Sequence, residues 1–232
     1  MTLRPKARNK RISRRRLAAK KQPDDARPLL IVMLKEPAMG RVKTRLGREI
    51  GAAAATRFAR IAAANLIRRL GRDKRWRTVL AVAPDRAVAS PIWPAKPPRM
   101  AQGGGDLGAR MGRLLATRPA ILIGADIPAV SAPLIADAFA ILRRHDAIFG
   151  PAEDGGYWLV GLNRSAPRGD VFGRVRWSTA FALADTLANF QAARVGYAAR
   201  LGDVDDAESH RRWGHLAGRL ILPAASPVAA SD

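Results

Sequence analysis

The 232-residue chain contains no cysteine. That absence excludes disulfides, thiolate zinc sites, Fe–S clusters and a cysteine nucleophile. It fits a reducing compartment, and a cytoplasmic protein is expected. No apolar run reaches 18 residues without a charge, so no transmembrane helix is expected. The basic N-terminus lacks the apolar segment of a secretory signal. Histidine is scarce, and His145, His210 and His215 show no metal-ligand spacing; the last two lie five apart, off a common helix face. No G-x-S-x-G nucleophile signature occurs. Acidic residues are few as well: 19 Asp+Glu stand against 41 Lys+Arg, for a net charge of +22.

Charge is concentrated at one end. Residues 1–22 hold ten basic residues and no acidic one, and removing them leaves +12 of the +22. Two readings apply to this segment. One is a coding bias toward arginine in an unstructured tail; the other is an arm that binds nucleic acid or an anionic surface through phosphate contacts. The remaining excess suits an anionic substrate.

At 48% hydrophobic residues the chain can build a real core. Short apolar runs at 29–34, 78–82, 120–124, 146–149, 157–162 and 195–197 read as strands. Helical patterns fall at 48–70, from Gly108 to about Thr117, from Ser131 (as N-cap) to about Arg144, and at 179–192 and 206–219. Residues 86–101 carry four prolines and read as mostly irregular. Alternating strands and helices predict an α/β fold, a three-layer α/β/α Rossmann-like sandwich with a largely parallel sheet. The expected organisation is a basic tail over 1–27, one domain over 28–222 and a frayed end over 223–232.

Candidate chemistry sits where the strands end. Gly40-Arg41-Val42-Lys43-Thr44-Arg45 follows the first strand, in the crevice where open α/β sheets bind ligands. Its glycine and three cations suit a phosphate. It is not a Walker A loop, because Val42 stands where that motif needs glycine. Gly103, Gly105 and Gly108 satisfy G-x-G-x-x-G, with Asp126 18 residues on, but the preceding Lys96–Gln102 does not read as a buried strand. A dinucleotide fingerprint is therefore not expected. Asp126 ends an apolar strand. It either caps a turn before Pro128 or joins a Mg²⁺ site completed by substrate phosphate oxygens. Asp203, Asp205 and Asp206 either cap the last helix or supply a second ligand. Glu153-Asp154-Gly155-Gly156-Tyr157 reads either as a tight turn or as a general base beside an acceptor.

Six segments, in order, resemble the DUF2064 family of transferases, also called selenodomain-associated transferase 1 or arsenosugar-biosynthesis-type glycosyltransferase. They are 35–46 (KEPAMGRVKTRL), 102–111 (QGGGDLGARM), 124–128 (GADIP), 150–159 (GPAEDGGYWL), 177–179 (WST) and 203–205 (DVD). The resemblance spans about residues 29–216 and implies the GT-A, nucleotide-diphospho-sugar transferase fold. It implies a nucleotide- and phosphate-binding set of Lys35, Gly40, Arg41, Lys43, Arg45, Gln102, Gly103, Gly104 and Asp106, with the Gln102–Gly105 stretch facing the base. It implies Mg²⁺ or Mn²⁺ on Asp126 with Asp205 as second ligand, Asp154 as catalytic base with Glu153 next in line, and Gly155, Gly156 and Tyr157 facing the acceptor. Two departures stand out: a single Asp126 replaces the Asp-x-Asp of many glycosyltransferases, and Ser209 stands where aspartate is usual.

The partners implied are a nucleotide sugar or an NTP, with a small-molecule acceptor. The first expectation is glycosyl transfer from a nucleotide-diphospho-sugar. The second is nucleotidyl transfer from an NTP to a phosphorylated small molecule with pyrophosphate release. The third is a basic nucleic-acid-binding protein with a degenerate transferase site.

Overall fold

The computed structural model describes residues 26–218. The expectations for residues 1–25 of the basic tail and for the frayed end at 223–232 lie outside these residues. No described helix is long and apolar enough to cross a membrane.

The first strand, β1 (Leu29–Lys35), is apolar along almost its whole length because both of its sides are covered. Leu30, Val32 and Leu34 enter one core. Leu29 and Ile31 enter the other. β2 (Arg77–Ala83), β3 (Arg99–Ala101), β4 (Ala120–Gly124), β5 (Ala147–Pro151), β6 (Tyr157–Leu162) and β7 (Val195–Tyr197) complete a seven-stranded sheet in the order β3-β2-β1-β4-β6-β5-β7. Every pairing is parallel except those of β6, which runs antiparallel to β4 and β5. The expected α/β sandwich with a mostly parallel sheet is what forms.

Helices α1 (Thr44–Ile50), α2 (Ala52–Leu70), α3 (Leu107–Leu114), α4 (Ala132–Leu142), α5 (Ala182–Ala188) and α6 (Ala207–Gly218) cover the sheet. α2 and α4 pack on the first core through Leu66, Leu70, Ile135 and Phe139. α3 and α5 pack on the second through Met111, Leu114, Leu183 and Leu187. A third cluster of Leu46, Ala55, Phe58, Ala62 and Val204, with Ile50 and Trp213 against it, ties α1, α2 and α6 together beside the sheet.

Two expectations change. The helix over 48–70 is two helices, because Gly51 between them sits at φ 91, a conformation that ends a right-handed helix. The segment 86–101 is not wholly irregular. Asp85–Ala89 forms a 3₁₀ turn, and Arg99–Ala101 is a parallel edge strand beside β2. At three residues with an exposed Met100, β3 has no pattern of its own; it borrows its order from β2.

Candidate active site

The C-terminal ends of β1, β2, β3, β4 and β5 rise on one edge of the sheet, and three adjoining cavities run along it. One of about 680 Å³ lies between the β1–α1 loop and Gly103–Gly105. One of about 350 Å³ lies over the ends of β1 and β4. A third of about 350 Å³ lies against β6 and the Trp177–Thr179 loop. Lys35, Arg41 and Thr44 are common to the first two. Met33, Gly124 and Asp126 are common to the last two, so the three form one trough. A separate cavity of about 610 Å³, between α2 and Pro91–Pro97, holds none of the carboxylates discussed below.

Lys43 is the joint of this trough. Its backbone is left-handed at φ 48, which turns the chain from the loop into α1. Its ammonium lies 2.8 Å from Asp126 Oδ2 and 2.8 Å from Asp205 Oδ1, and its side chain is only 5% exposed. Burial works to lower its pKa, but the two carboxylates win and hold the ammonium above its ordinary value. Asp205 reaches this point because Val204 N donates to Asp126 O, docking the 203–205 segment against the end of β4.

The three late aspartates divide the roles that the sequence left open. Asp206 caps α6: its Oδ1 accepts from Ser209 N, while Ser209 Oγ accepts from the amides of Asp205 and Asp206. This reciprocal arrangement resembles a capping box, which accounts for serine at 209. Asp205 faces Lys43, and Asp203 lines the β6 cavity. Half-buried, Asp203 is pushed up to about 6, by burial first and then by the carboxylates of Asp205 and Asp154, with Lys43 opposing.

The sequence-expected residues fall into two groups. Lys35, Gly40, Arg41, Gly103 and Gly104 line the 680 Å³ cavity. Asp154, Gly156 and Tyr157 line the β6 cavity. The turn holds Asp154 in place, since its Oδ1 accepts from Gly156 N. Gly155, at φ 85, lies so close to Ala180 that a Cβ would overlap the carbonyl of that residue. The Tyr157 hydroxyl lies against Met111 Sδ and accepts from Thr186 Oγ1, and burial pushes the phenol pKa up.

Four others are placed differently from expectation. Gln102 lines the cavity over β1 and β4, but its amide NH₂ is spent inside the sheet: Nε2 donates to Leu34 O at 3.0 Å and Ala81 O at 2.9 Å, stapling β1 to β2. Asp106 caps α3 by accepting from Ala109 N. Arg45 is exposed and lies 3.9 Å from Asp205 Oδ2, away from the cavity linings. Glu153 points outward to Arg212, 3.6 Å away. The G-x-G-x-x-G segment does sit between a strand and a helix, but β3 is an exposed edge and the Asp106 carboxylate already occupies the start of α3. A pyrophosphate there would meet a like charge.

Three residues were missed. Arg86 and Arg110 add cations to the first cavity. Arg113 holds the glycine loop by donating to Gln102 O and Gly104 O. The signal was available for the last two, which lie on the helix opened by the glycine motif.

Two carboxylates converging on one cation are a hard-oxygen donor pair. They fit a Mg²⁺ or Mn²⁺ ion whose remaining ligands come from substrate phosphate and water. Among the described residues no three His, Cys, Asp or Glu side chains cluster as a ready-made metal site.

The fold is that of the nucleotide-diphospho-sugar transferases. The family model described as "Uncharacterized protein conserved in bacteria (DUF2064)" matches residues 66–179. The match takes in Gln102–Met111, Asp126 and Asp154–Thr179, and leaves Lys43 and Asp205 outside it. A crystal structure of a "putative nucleotide-diphospho-sugar transferase" from Desulfovibrio desulfuricans G20 superposes with a TM-score of 0.70 at 28% identity, over 77% of this chain and 82% of that one. The 4-diphosphocytidyl-2C-methyl-D-erythritolsynthase of Anaerococcus prevotii DSM 20548 shares the fold alone, with a TM-score of 0.50 at 10% identity over 84% of this chain and 100% of that one. No curated protein matches the chain.

Proposed function

We propose that this protein is a transferase that uses an activated nucleotide, moving a glycosyl group from a nucleotide-diphospho-sugar to a small acceptor. One observation carries the reading: a single trough has a cationic end and a carboxylate-lined end, with Lys43 at the joint. The likeness to the Desulfovibrio desulfuricans protein supports it.

In this reading Lys35 and Arg41 hold the diphosphate, and Arg86 and Arg110 add charge beside it. Guanidinium and ammonium groups fixed around a departing diphosphate stabilise the charge that develops as it leaves. Asp126 and Asp205 would hold Mg²⁺ or Mn²⁺, which supplies further neutralisation of that charge when bound. Asp154, with Oδ1 fixed by Gly156 N, keeps its other oxygen for the acceptor. The acceptor oxygen forms a new bond to the anomeric carbon as its proton passes to Asp154. The bond from that carbon to the diphosphate breaks, and the electron pair leaves with the nucleotide.

The test is thermal stability of the purified chain with nucleoside triphosphates and nucleotide sugars, in Mn²⁺ or EDTA. A ligand at 100 times its dissociation constant adds about 2.7 kcal/mol. A metal-dependent shift with one nucleotide sugar is expected. A shift with triphosphate alone would favour nucleotidyl transfer. No shift with any of them would overturn both.

A further inference from the structure

Arginine and lysine outnumber acidic residues by more than two to one in this chain, so a cavity lined by cations is unremarkable here. The β6 cavity is the opposite. Asp126, Asp154 and Asp203 line it, and no Lys or Arg does. Among the described residues, ion pairs are made by Asp73, Asp126, Asp146, Glu153, Asp185 and Asp205. Asp154 and Asp203 are absent from that set. The nearby Lys43 is already committed to Asp126 and Asp205.

The walls around these two carboxylates are apolar. Leu159, Met111 and the rings of Tyr157, Trp158 and Trp177 line the same cavity. Asp203, partly buried against such walls and outside the ion pairs above, can take a charged partner from a ligand. Aromatic faces attract a cation for the same electrostatic sign. A phosphate would meet the Asp154 and Asp203 charges with no Lys or Arg in the lining to offset them.

We propose that the acceptor is a small polyol or sugar carrying an amino group, and that Asp203 selects it by pairing with the ammonium while Asp154 faces the reacting hydroxyl. This rests on the transferase reading above and names its acceptor class. It also separates that reading from nucleotidyl transfer, whose acceptor carries a phosphate.

The test uses three probes with one carbon skeleton: glucamine, glucitol and glucitol 6-phosphate. Saturation-transfer NMR on the full chain measures the affinity of each, and nucleoside diphosphates are titrated separately. Glucamine is expected to bind about 10- to 100-fold more tightly than glucitol 6-phosphate, the scale of one charged contact. Asp203→Asn should collapse that ratio, and Asp203→Glu should restore part of it, while nucleoside diphosphate affinity stays as in the parent chain. The parent ranking alone needs no variant to fold. Equal binding of the phosphorylated probe, no binding of glucamine, or a ratio unchanged in Asp203→Asn overturns the proposal. Loss of nucleotide binding in the parent chain overturns the transferase reading instead, so the two failures are distinct.

Discussion

The two ends of the trough are built from different materials. The end near β2 and β3 is built from the end of β1, the loop after it, the 3₁₀ turn after β2 and helix α3, which bring Lys35, Arg41, Arg86 and Arg110 together with Glu36 and Asp85. The end near β6 consists of sheet, aromatic rings and the carboxylates Asp154 and Asp203. Their opposite signs imply one substrate that is strongly anionic and another that is not. Lys43, Asp126 and Asp205 form the ion-paired seam between them.

This comparison can be broken most severely at the carboxylate end. Asp154→Asn should lower kcat by about 10²- to 10⁴-fold, the usual worth of a positioned base. Nucleotide affinity, measured by calorimetry, should not change. A nearly silent variant would favour a phosphate nucleophile, which needs no strong base. At the other end, Arg41→Ala should weaken nucleotide binding by about 1.5–3 kcal/mol and leave acceptor affinity unaltered. Unchanged nucleotide affinity would move the phosphate site elsewhere.

At the seam, Lys43→Ala leaves two carboxylates facing each other. Both are partly exposed, so a stability loss of about 1–3 kcal/mol in urea unfolding is expected, below the cost of a fully buried pair. Gly155→Ala should destabilise by roughly 1–2 kcal/mol through its positive φ and its overlap with Ala180, read from the same unfolding curves.

The smallest effect is expected at the Arg176–Asp185 clip beside the Trp177–Thr179 loop. Bonds from the Arg176 side chain and amide pull the Asp185 carboxyl down to about 2. Its folded pKa lies below the unfolded value of about 3.9, so the clip contributes in full above that pH and is lost as pH falls toward 2. Asp185→Asn should flatten this limb of an acid-denaturation curve followed by circular dichroism. An unaltered limb would show that the clip adds nothing.

Strands buried on both faces were legible because burial leaves an unbroken apolar run; Leu29–Leu34 and Ala120–Gly124 show it plainly. β3 was not, since its order comes from pairing with β2 rather than from its own three side chains. The division of one helix into α1 and α2 turned on a single glycine within an otherwise continuous pattern. At the site, residue types and their order were legible, but directions were not. Sequence places Gln102 beside the glycine loop but does not reveal that both amide hydrogens turn inward to Leu34 and Ala81. It offers Glu153 and Asp154 as neighbours, yet only the fold sends one into the trough and the other to Arg212. It lists Asp203, Asp205 and Asp206 without showing that they face a cavity, a lysine and a helix end.

The antiparallel β6 has a mechanical consequence. Asp154 stands in a hairpin whose two legs, β5 and β6, are each flanked by a strand on both sides. Such a turn moves only if the sheet moves. The Glu36–Lys43 and Gly103–Asp106 segments are each anchored by one strand and one helix, and they bend at Gly40, Gly103 and Gly105. The trough therefore joins a carboxylate wall locked into the sheet to a cationic wall of two loops, one of them held in place by Arg113.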